Sequence, residues 1–253
     1  MKYKALILDV DGTTITTGLY SRPSRRVVDA VKKAKELVHV STATGRAFPI
    51  AKHITDELQL TSPSIFSGGT KIIDPISHKT LWEKFMSKEK VEEILRIARQ
   101  FPYTIIPNSH YDYLPPRMPY RLQQEVLIEI DEVPFAESEP ILAALEQIQN
   151  IHLTTVKQYG LDDIVINITD KEGTKGKALQ HLKKMLGVTT EEVIGIGDSY
   201  NDPALFEEVG LKIAMGNAVP ELQERADYVT SHVEQDGLAE AIEKFILEPQ
   251  SFS

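Results

Sequence analysis

The chain of 253 residues contains no cysteine, which excludes disulfides and thiolate metal ligands. Basic residues are in the minority, because 28 Lys and Arg stand against 37 Asp and Glu and give a formal net charge of −9 at pH 7. This balance argues against a general nucleic-acid binder and provides no electrostatic reason to bind an anionic membrane. A chain of this charge that handled an anion would need locally concentrated positive charge, from a metal ion or a placed lysine.

Long apolar runs are also missing. No stretch approaches the roughly 20 residues that a membrane-spanning helix needs. The apolar run behind the basic N-terminus ends at Asp9, which makes it too short for the core of a signal peptide. The seven histidines show no pairs at zinc-ligand spacing. We therefore expect a cytoplasmic protein with neither a membrane partner nor a zinc site.

The first and last thirds of the chain alternate between strand and helix patterns. Short apolar runs typical of buried parallel strands are followed by apolar residues at helical spacing. Such alternation predicts a parallel sheet with helices on both faces. The predicted strands are 5–10, 38–43, 64–67, 193–196, 211–214 and 228–230, and the predicted helices are 23–37, 47–58, 174–186, 202–209, 219–225 and 238–247.

The middle of the chain follows another pattern, with consecutive strands at its end that favour an α+β insertion and an antiparallel sheet. The predicted fold class is therefore α/β, with a Rossmann-like parallel-sheet core at 1–82 and 169–253 and an inserted α+β cap at 83–168. One cap loop packs four prolines and three tyrosines, which suits either a ligand-facing surface or a rigid connection. The predicted elements here are a strand near 81, helix 88–100, loop 107–120, strand 126–130, helix 137–149, and strands 151–156 and 164–168.

The strongest local signal is Asp9-Val10-Asp11-Gly12-Thr13, directly after the first predicted strand. Two carboxylates two residues apart, at the carboxyl end of a parallel strand, lie where α/β sheets place their active sites. One can act as a nucleophile and the other as a general acid and base. A calcium loop is excluded because it would require an acid at Thr13 and a glutamate at Tyr20, whereas a simple strand-to-turn transition stays open.

A second acidic segment, 195–202, follows another predicted strand and ends in Asn201 and Asp202. Its structural alternative is a helix start, since Asn or Asp before Pro203 is a common way to begin a helix. That alternative explains the end of the segment but gives Asp198 no role.

Asp9, Asp11, Asp198 and Asp202 thus form two acidic pairs, each at the end of a predicted strand. If the pairs converge, four carboxylates in one cleft repel one another unless a divalent cation neutralises them. Ligation by oxygen alone favours Mg²⁺, which keeps several waters and uses few carboxylates.

Two further segments could bind phosphate. Thr44-Gly45-Arg46 follows the second predicted strand, where a hydroxyl and backbone N–H groups at a helix start can hold an anion. Helix capping by Thr44 is the alternative. Lys175 lies in a first helical turn, which is mildly unfavourable for a cation and therefore favours a role as a phosphate ligand. Alternatively, Lys175 and Lys177 could form a solvated face.

These four segments occur in the order of the four motifs of the haloacid dehalogenase superfamily, which this sequence resembles. The Thr-Gly-Arg form of the second motif, and the long insertion between it and Lys175, are similar to the Cof-type phosphatases. The same is true of Ala-Met-Gly-Asn-Ala at 214–218, Ala-Asp at 226–227 and Asp-Gly at 236–237. The segment 67–69 is Ser-Gly-Gly, where the family commonly has Asn-Gly.

The resemblance implies a haloacid dehalogenase fold and a Mg²⁺-dependent phosphatase that hydrolyses a small phosphorylated metabolite, such as a sugar phosphate. It implies Asp9 as the nucleophile that forms an aspartyl-phosphate, and Asp11 as general acid and then base. The implied phosphate ligands are Thr44, Gly45, Lys175 and Asn201, and the implied metal site comprises Asp9, Asp11 through its carbonyl, Asp198 and Asp202.

Three alternatives stay open from the sequence. A phosphomutase would use the same nucleophile to move phosphate between two positions of one sugar. A non-catalytic Mg²⁺-binding module would leave Asp11 without a role, and a receiver-type phosphoacceptor does not account for the large insertion. A small-molecule phosphate ester is the expected partner, and a monomer is compatible with the sequence.

Overall fold

A computed structural model describes residues 2–16, 18, 20–109, 125–157 and 162–248. Its order of elements confirms the alternation of strands and helices at both ends of the chain and the consecutive strands in the middle. The strands are β1 (Ala5–Leu8), β2 (His39–Thr42), β3 (Ser64–Phe66), β4 (Lys71–Ile73), β5 (Thr80–Glu83), β6 (Thr104–Ser109), β7 (Glu125–Pro134), β8 (Ile151–Lys157), β9 (Asp163–Asp170), β10 (Val193–Gly197), β11 (Leu211–Ala214) and β12 (Tyr228–Val229). The helices are α1 (Arg25–Ala34), α2 (Phe48–Glu57), α3 (Lys88–Ala98), α4 (Ser138–Leu145), α5 (Lys175–Leu186), α6 (Pro203–Phe206), α7 (Pro220–Gln223) and α8 (Gly237–Ile242), the last continued by a π-helical turn at Glu243–Leu247.

The central sheet is parallel, with the strand order β12-β11-β10-β1-β2. β1 lies between β10 and β2, so that Ala5 is paired with Val193 on one side and His39 on the other. Its four residues are all buried and apolar, as expected for a strand covered on both faces. The predicted parallel core is therefore confirmed.

Alternate residues of β1 pack into different layers of the core. Leu6 and Leu8 belong to the cluster formed with α1 and α8, whereas Ala5 and Ile7 belong to the cluster formed with α5. Helices thus cover both faces of the sheet. Because β1 is buried on both faces, the residues that follow it are held at the carboxyl edge of the sheet.

A second, antiparallel sheet has the order β3-β4-β5. The sequence predicts 64–67 as a further strand of the parallel sheet, but β3 pairs with β4 and joins β2 through a bridge between Ala43 and Ile65. β4 was not predicted, because three residues after a glycine turn give no readable period. The strand predicted near 81 is β5, which pairs with β4 through Ile72 and Trp82.

The middle of the chain forms the predicted α+β insertion, an antiparallel sheet of order β6-β7-β9-β8. Apolar residues of α3 and α4 pack with the isoleucines of β7 and β9 in a core of their own. β6 was not predicted because Pro107 suggested a loop, yet proline is tolerated in an edge strand. The rest of the predicted 107–120 loop, from His110 onward, lies outside the described residues.

Across the part of the chain that the structure describes, no helix is both long enough and apolar enough to span a membrane.

Candidate active site

The loops after β1, β2 and β10 meet at the carboxyl edge of the central sheet. Asp9 directly follows β1, and its backbone N–H still donates to the carbonyl of Ile196 in the neighbouring β10 at 2.9 Å. Thr44 follows β2 and Asp198 follows β10. Because these strands are parallel neighbours, three segments distant in sequence deliver their side chains to one place.

The loop after β1 folds back tightly on itself. The Thr14 N–H donates to the carbonyl of Val10 at 2.9 Å, and its hydroxyl donates to the carbonyl of Asp9 at 2.6 Å. Gly12 has φ of +77°, and a Cβ on it would lie 2.1 Å from Oδ2 of Asp198. Glycine at this position therefore permits both the turn and the close approach of the Asp198 carboxylate.

The Lys175 ammonium lies at the centre of the site. This residue opens α5, and its Nζ donates to Oδ1 of Asp9 at 2.6 Å, of Asp202 at 2.8 Å and of Asn201 at 3.0 Å. The Lys175 side chain is 1% exposed. Burial alone would lower its pKa, but Asp202 and Asp9 outweigh that effect and raise it, so the side chain is a fixed cation.

The two neighbouring lysines of α5 differ in environment. Lys177 is 43% exposed on its side chain and faces Glu172 at 3.5 Å, as a surface ion pair does. The alternative of a solvated face therefore holds for Lys177 and is wrong for Lys175.

Three carboxylates lie close together here, and two of them, Asp9 and Asp202, contact the Lys175 ammonium. Asp9, Asp198 and Asp202 each present an oxygen within 4.8 Å of the others. Burial raises the pKa of Asp9 to about 7, against the opposing pull of Lys175 and with a further upward push from Asp202. Burial, followed by the charges of Asp9 and Asp202, raises the pKa of Asp198 to about 9. Two buried carboxylates and one half-buried carboxylate that repel one another when ionised fit a hard divalent cation such as Mg²⁺.

Asp202 uses both of its oxygens. Oδ1 accepts from Lys175, and Oδ2 accepts from the backbone N–H groups of Asp198 and Ser199, each at 3.0 Å. α6 begins at Pro203 as the helix-start alternative predicts, but the Asp202 side chain makes no capping hydrogen bond to it. Asp202 instead fixes the loop that carries Asp198 and holds Lys175 in place.

Thr44 is buried beside the β1 loop, and its hydroxyl accepts from the Arg46 N–H at 3.0 Å. α2 begins at Phe48 with Ala47 as its N-cap, so the alternative of helix capping by Thr44 is wrong. A Cβ at Gly45 would have nothing within 4 Å, which leaves free space beside the backbone there.

The Asp11 carboxylate is paired with Arg46, a contact that sequence reasoning missed. Nε of Arg46 donates to Oδ2 at 2.8 Å and Nη2 donates to Oδ1 at 2.5 Å. Nη2 also donates to the carbonyl of Gly18 at 2.8 Å. Arg46 is visible in the sequence as part of the Thr-Gly-Arg motif, but no neighbouring residue indicates that Asp11 is its partner.

Two further residues stabilise the site through hydrogen bonds, and the sequence alone assigns neither of them a role. Asn217 donates to the carbonyl of Gly12 and accepts from the N–H of Val233, both at 2.8 Å. Thr13 donates its hydroxyl hydrogen to Oδ1 of Asp198 at 2.9 Å. In the sequence, Asn217 belongs to the 214–218 segment that is similar to the Cof-type phosphatases, and this membership is the signal that could have identified it. These contacts tie the β1 loop to the loops after β10 and β11.

A family model of haloacid dehalogenase-like hydrolases matches residues 6–114 and 122–242. The chain therefore belongs to the haloacid dehalogenase-like hydrolase family, and the predicted family is confirmed.

Named relatives carry phosphatase activities. A phosphoglycolate phosphatase from Staphylothermus marinus is 26% identical over 242 residues, which cover 95% of this chain and 97% of that protein. A 5-amino-6-(5-phospho-D-ribitylamino)uracil phosphatase from Bacillus subtilis is 26% identical over 252 residues, covering 96% of each chain. A haloacid dehalogenase-like hydrolase from Bacteroides thetaiotaomicron shares the fold, with a TM-score of 0.78 at 23% identity over 96% of this chain and 100% of that one. The family match and the two named phosphatases support a phosphatase or phosphotransferase activity, as predicted.

Proposed function

We propose that this protein is a Mg²⁺-dependent phosphatase that hydrolyses a small phosphorylated metabolite through an aspartyl-phosphate formed on Asp9. The observation that carries the proposal is the 2.6 Å contact between Nζ of Lys175 and Oδ1 of Asp9, in a buried cluster with Asp198 and Asp202. It concentrates positive charge beside a candidate nucleophile in a chain whose net charge is −9.

The two carboxylates of the β1 loop divide the chemistry. An oxygen of Asp9 attacks phosphorus as the bond from phosphorus to the leaving oxygen breaks, and Asp11 gives its proton to that oxygen. Asp11, now a carboxylate, takes a proton from a water that attacks the phosphorus of the aspartyl-phosphate. As this water attacks, the bond from phosphorus to the Asp9 oxygen breaks, inorganic phosphate leaves, and both carboxyl groups return to their starting states.

The phosphoryl oxygens need donors, since positioning and charge neutralisation dominate this chemistry. We assign this role to the Thr44 hydroxyl, the Gly45 N–H, the Lys175 ammonium and the Asn201 side chain. The Lys175 ammonium contacts Asp9 and Asn201, which supports this assignment, and we expect one of its three N–H groups to turn to a phosphoryl oxygen when substrate binds.

Mg²⁺ would be held by Asp9, Asp198 and the carbonyl of Asp11. Asp202 would support the site without being a principal ligand, because both of its oxygens already accept hydrogen bonds. The bound ion would neutralise the carboxylates and the charge on the transferring phosphoryl group.

The relatives and the proposed domain arrangement support this substrate class. The two phosphatases named above act, by their names, on phosphate monoesters of small polar metabolites. We propose that 1–82 and 169–253 form the catalytic core and that 83–168 form a cap, which would enclose a leaving group of that size.

Phosphate release tests the proposal. The purified protein with Mg²⁺ should release inorganic phosphate from members of a panel of sugar phosphates and other small phosphate esters. Rapid quenching and intact-protein mass spectrometry should detect a phosphoryl adduct on the wild type and none on Asp9→Asn. An isomerised phosphosugar without release would assign a phosphomutase instead. Absence of turnover on every ester, or an active Asp9→Asn protein, would refute the proposal.

A further inference from the structure

We propose that Arg46 is a positioning residue that fixes the orientation of the Asp11 carboxylate for proton transfer. The inference rests on the proposed function, because it takes Asp11 as the general acid and base. It assigns a task to a side chain that the phosphoryl chemistry described above does not use.

The Arg46 guanidinium binds the Asp11 carboxylate through a bidentate contact, which fixes its orientation. Two parallel bonds, Nε to Oδ2 and Nη2 to Oδ1, fix the plane of the Asp11 carboxylate, whose terminal torsion is otherwise broad. A lysine could supply the charge but could not form this planar fork. Each carboxylate oxygen keeps a further lone pair for a proton or a leaving group.

Arg46 is itself held at several points. Its N–H donates to the Thr44 hydroxyl, its carbonyl accepts from the N–H of Ser67 at 2.9 Å, and its guanidinium donates to the carbonyl of Gly18. The residue therefore links the loop after β2 to the loop after β1. Because both its backbone and its guanidinium are held, the Arg46 side chain can keep the Asp11 carboxylate in one position.

The two partners differ in their exposure to solvent. The Arg46 side chain is 11% exposed and that of Asp11 is 33% exposed. The Asp11 carboxylate therefore stays accessible, whereas most of the Arg46 side chain is covered. A role of Arg46 as a direct ligand of substrate phosphate is the competing possibility, and kinetics separate the two.

The test compares Arg46→Met, Arg46→Lys, Asp11→Asn and the Arg46→Met/Asp11→Asn double variant on two esters. One is 4-nitrophenyl phosphate, whose leaving group needs no proton, and the other is the fastest alkyl ester of the panel. Arg46→Met should lower kcat/KM, which reports the step that expels the leaving group, about 10- to 100-fold on the alkyl ester and less than about threefold on the nitrophenyl ester. The base role of Asp11 in hydrolysis of the aspartyl-phosphate is common to both esters, so kcat should also fall on the alkyl ester, with KM little changed. Arg46→Lys should show the same selectivity, because it lacks the fork.

The double variant should be no slower on the alkyl ester than Asp11→Asn, since removing Asp11 leaves Arg46 nothing to orient. Arg22→Met is the matched control, because it removes a surface pair with Glu57 at 2.8 Å and should leave both kcat values unchanged. Melting temperatures check folding, and Arg46→Lys carries the test if Arg46→Met does not fold.

Three results would overturn the inference: an equal loss in kcat/KM on both esters, additive losses in the double variant, or a raised KM with unchanged kcat, which would make Arg46 a substrate ligand. Failure of the proposed function looks different. In that case the wild type releases no phosphate from any ester, or Asp9→Asn retains activity.

Discussion

Replacement of Lys175 by methionine removes the cation at the centre of the site while keeping a side chain of similar length. The ammonium is 1% exposed, and its carboxylate partners Asp9 and Asp202 are 6% and 0% exposed. Loss of one partner of a buried ion pair leaves uncompensated charge and costs about 3–5 kcal/mol. For a protein of this size, that corresponds to a fall in melting temperature of about 6–20 °C.

Thermal unfolding followed by circular dichroism in EDTA measures this effect. The experiment is best done at pH 8, above the Asp9 pKa of about 7, because protonation of that carboxyl group would otherwise hide part of the loss. Lys177→Met is the control two residues away, since its exposed pair with Glu172 is worth about 0–1 kcal/mol. Phosphate release should disappear in Lys175→Met and persist in Lys177→Met.

Equal melting temperatures for the two variants would refute this account. They would mean that the Lys175 ammonium gains no more from its three acceptors than an exposed lysine gains from one. Phosphate release by Lys175→Met at the wild-type rate would likewise remove Lys175 from the proposed phosphoryl site.

Asp9→Asn is expected to fold but to lose phosphate release, because an amide is a very poor nucleophile; retained turnover would contradict the aspartyl-phosphate. EDTA should stop turnover, Mg²⁺ should restore it and Ca²⁺ should restore it poorly, because calcium prefers longer bonds and more ligands; full activity in chelator would contradict the metal site. Asp9 and Asp198 have folded pKa values of about 7 and about 9 in the metal-free protein, above their ordinary value of 3.8, so the folded state holds protons that the unfolded state has released. The free energy of unfolding of the metal-free protein should therefore fall as pH rises from 3.8 to about 9. Mg²⁺ should accordingly raise the melting temperature more at pH 9 than at pH 6. Asp198→Asn should weaken the pH dependence of both the metal-free stability and the stabilisation by Mg²⁺. If Mg²⁺ raised the melting temperature equally at both pH values, the mutual repulsion of the carboxylates would be contradicted.

The parts of the fold that could be predicted from sequence have strong local patterns. β1, β10 and β11 are short apolar runs, and each is followed by a helix or a polar turn. Parallel pairing then dictates that the residues after neighbouring strands meet, which is why Asp9 and Asp198 could be placed together without coordinates. Lys175 could be singled out because a helix start is an unfavourable place for a cation.

The remaining features depend on contacts between distant segments. β4 is three residues long, and β6 contains a proline that only its edge position makes acceptable. The contact of Arg46 with Asp11 spans 35 residues and that of Asn217 with Gly12 spans 205 residues, and no spacing rule reaches that far. Asp202 is ambiguous from sequence in another way, because its position before Pro203 also suits a helix start, and only its contacts show that its side chain binds Lys175 and the loop that carries Asp198.

The position of β1 in the middle of the central sheet has a consequence for biosynthesis. β1 is made first, yet one of its two neighbours is β10, which follows the whole four-stranded insertion in the chain. During translation the insertion, which has a hydrophobic core of its own, is complete before β10 is made, so we expect one hydrogen-bonding edge of β1 to stay unpaired until then. Asp9 and Lys175 are 166 residues apart, so an incomplete chain cannot bring the proposed nucleophile next to Lys175. We therefore expect the nascent chain to be inactive and exposed to edge-to-edge aggregation until its last third has been made.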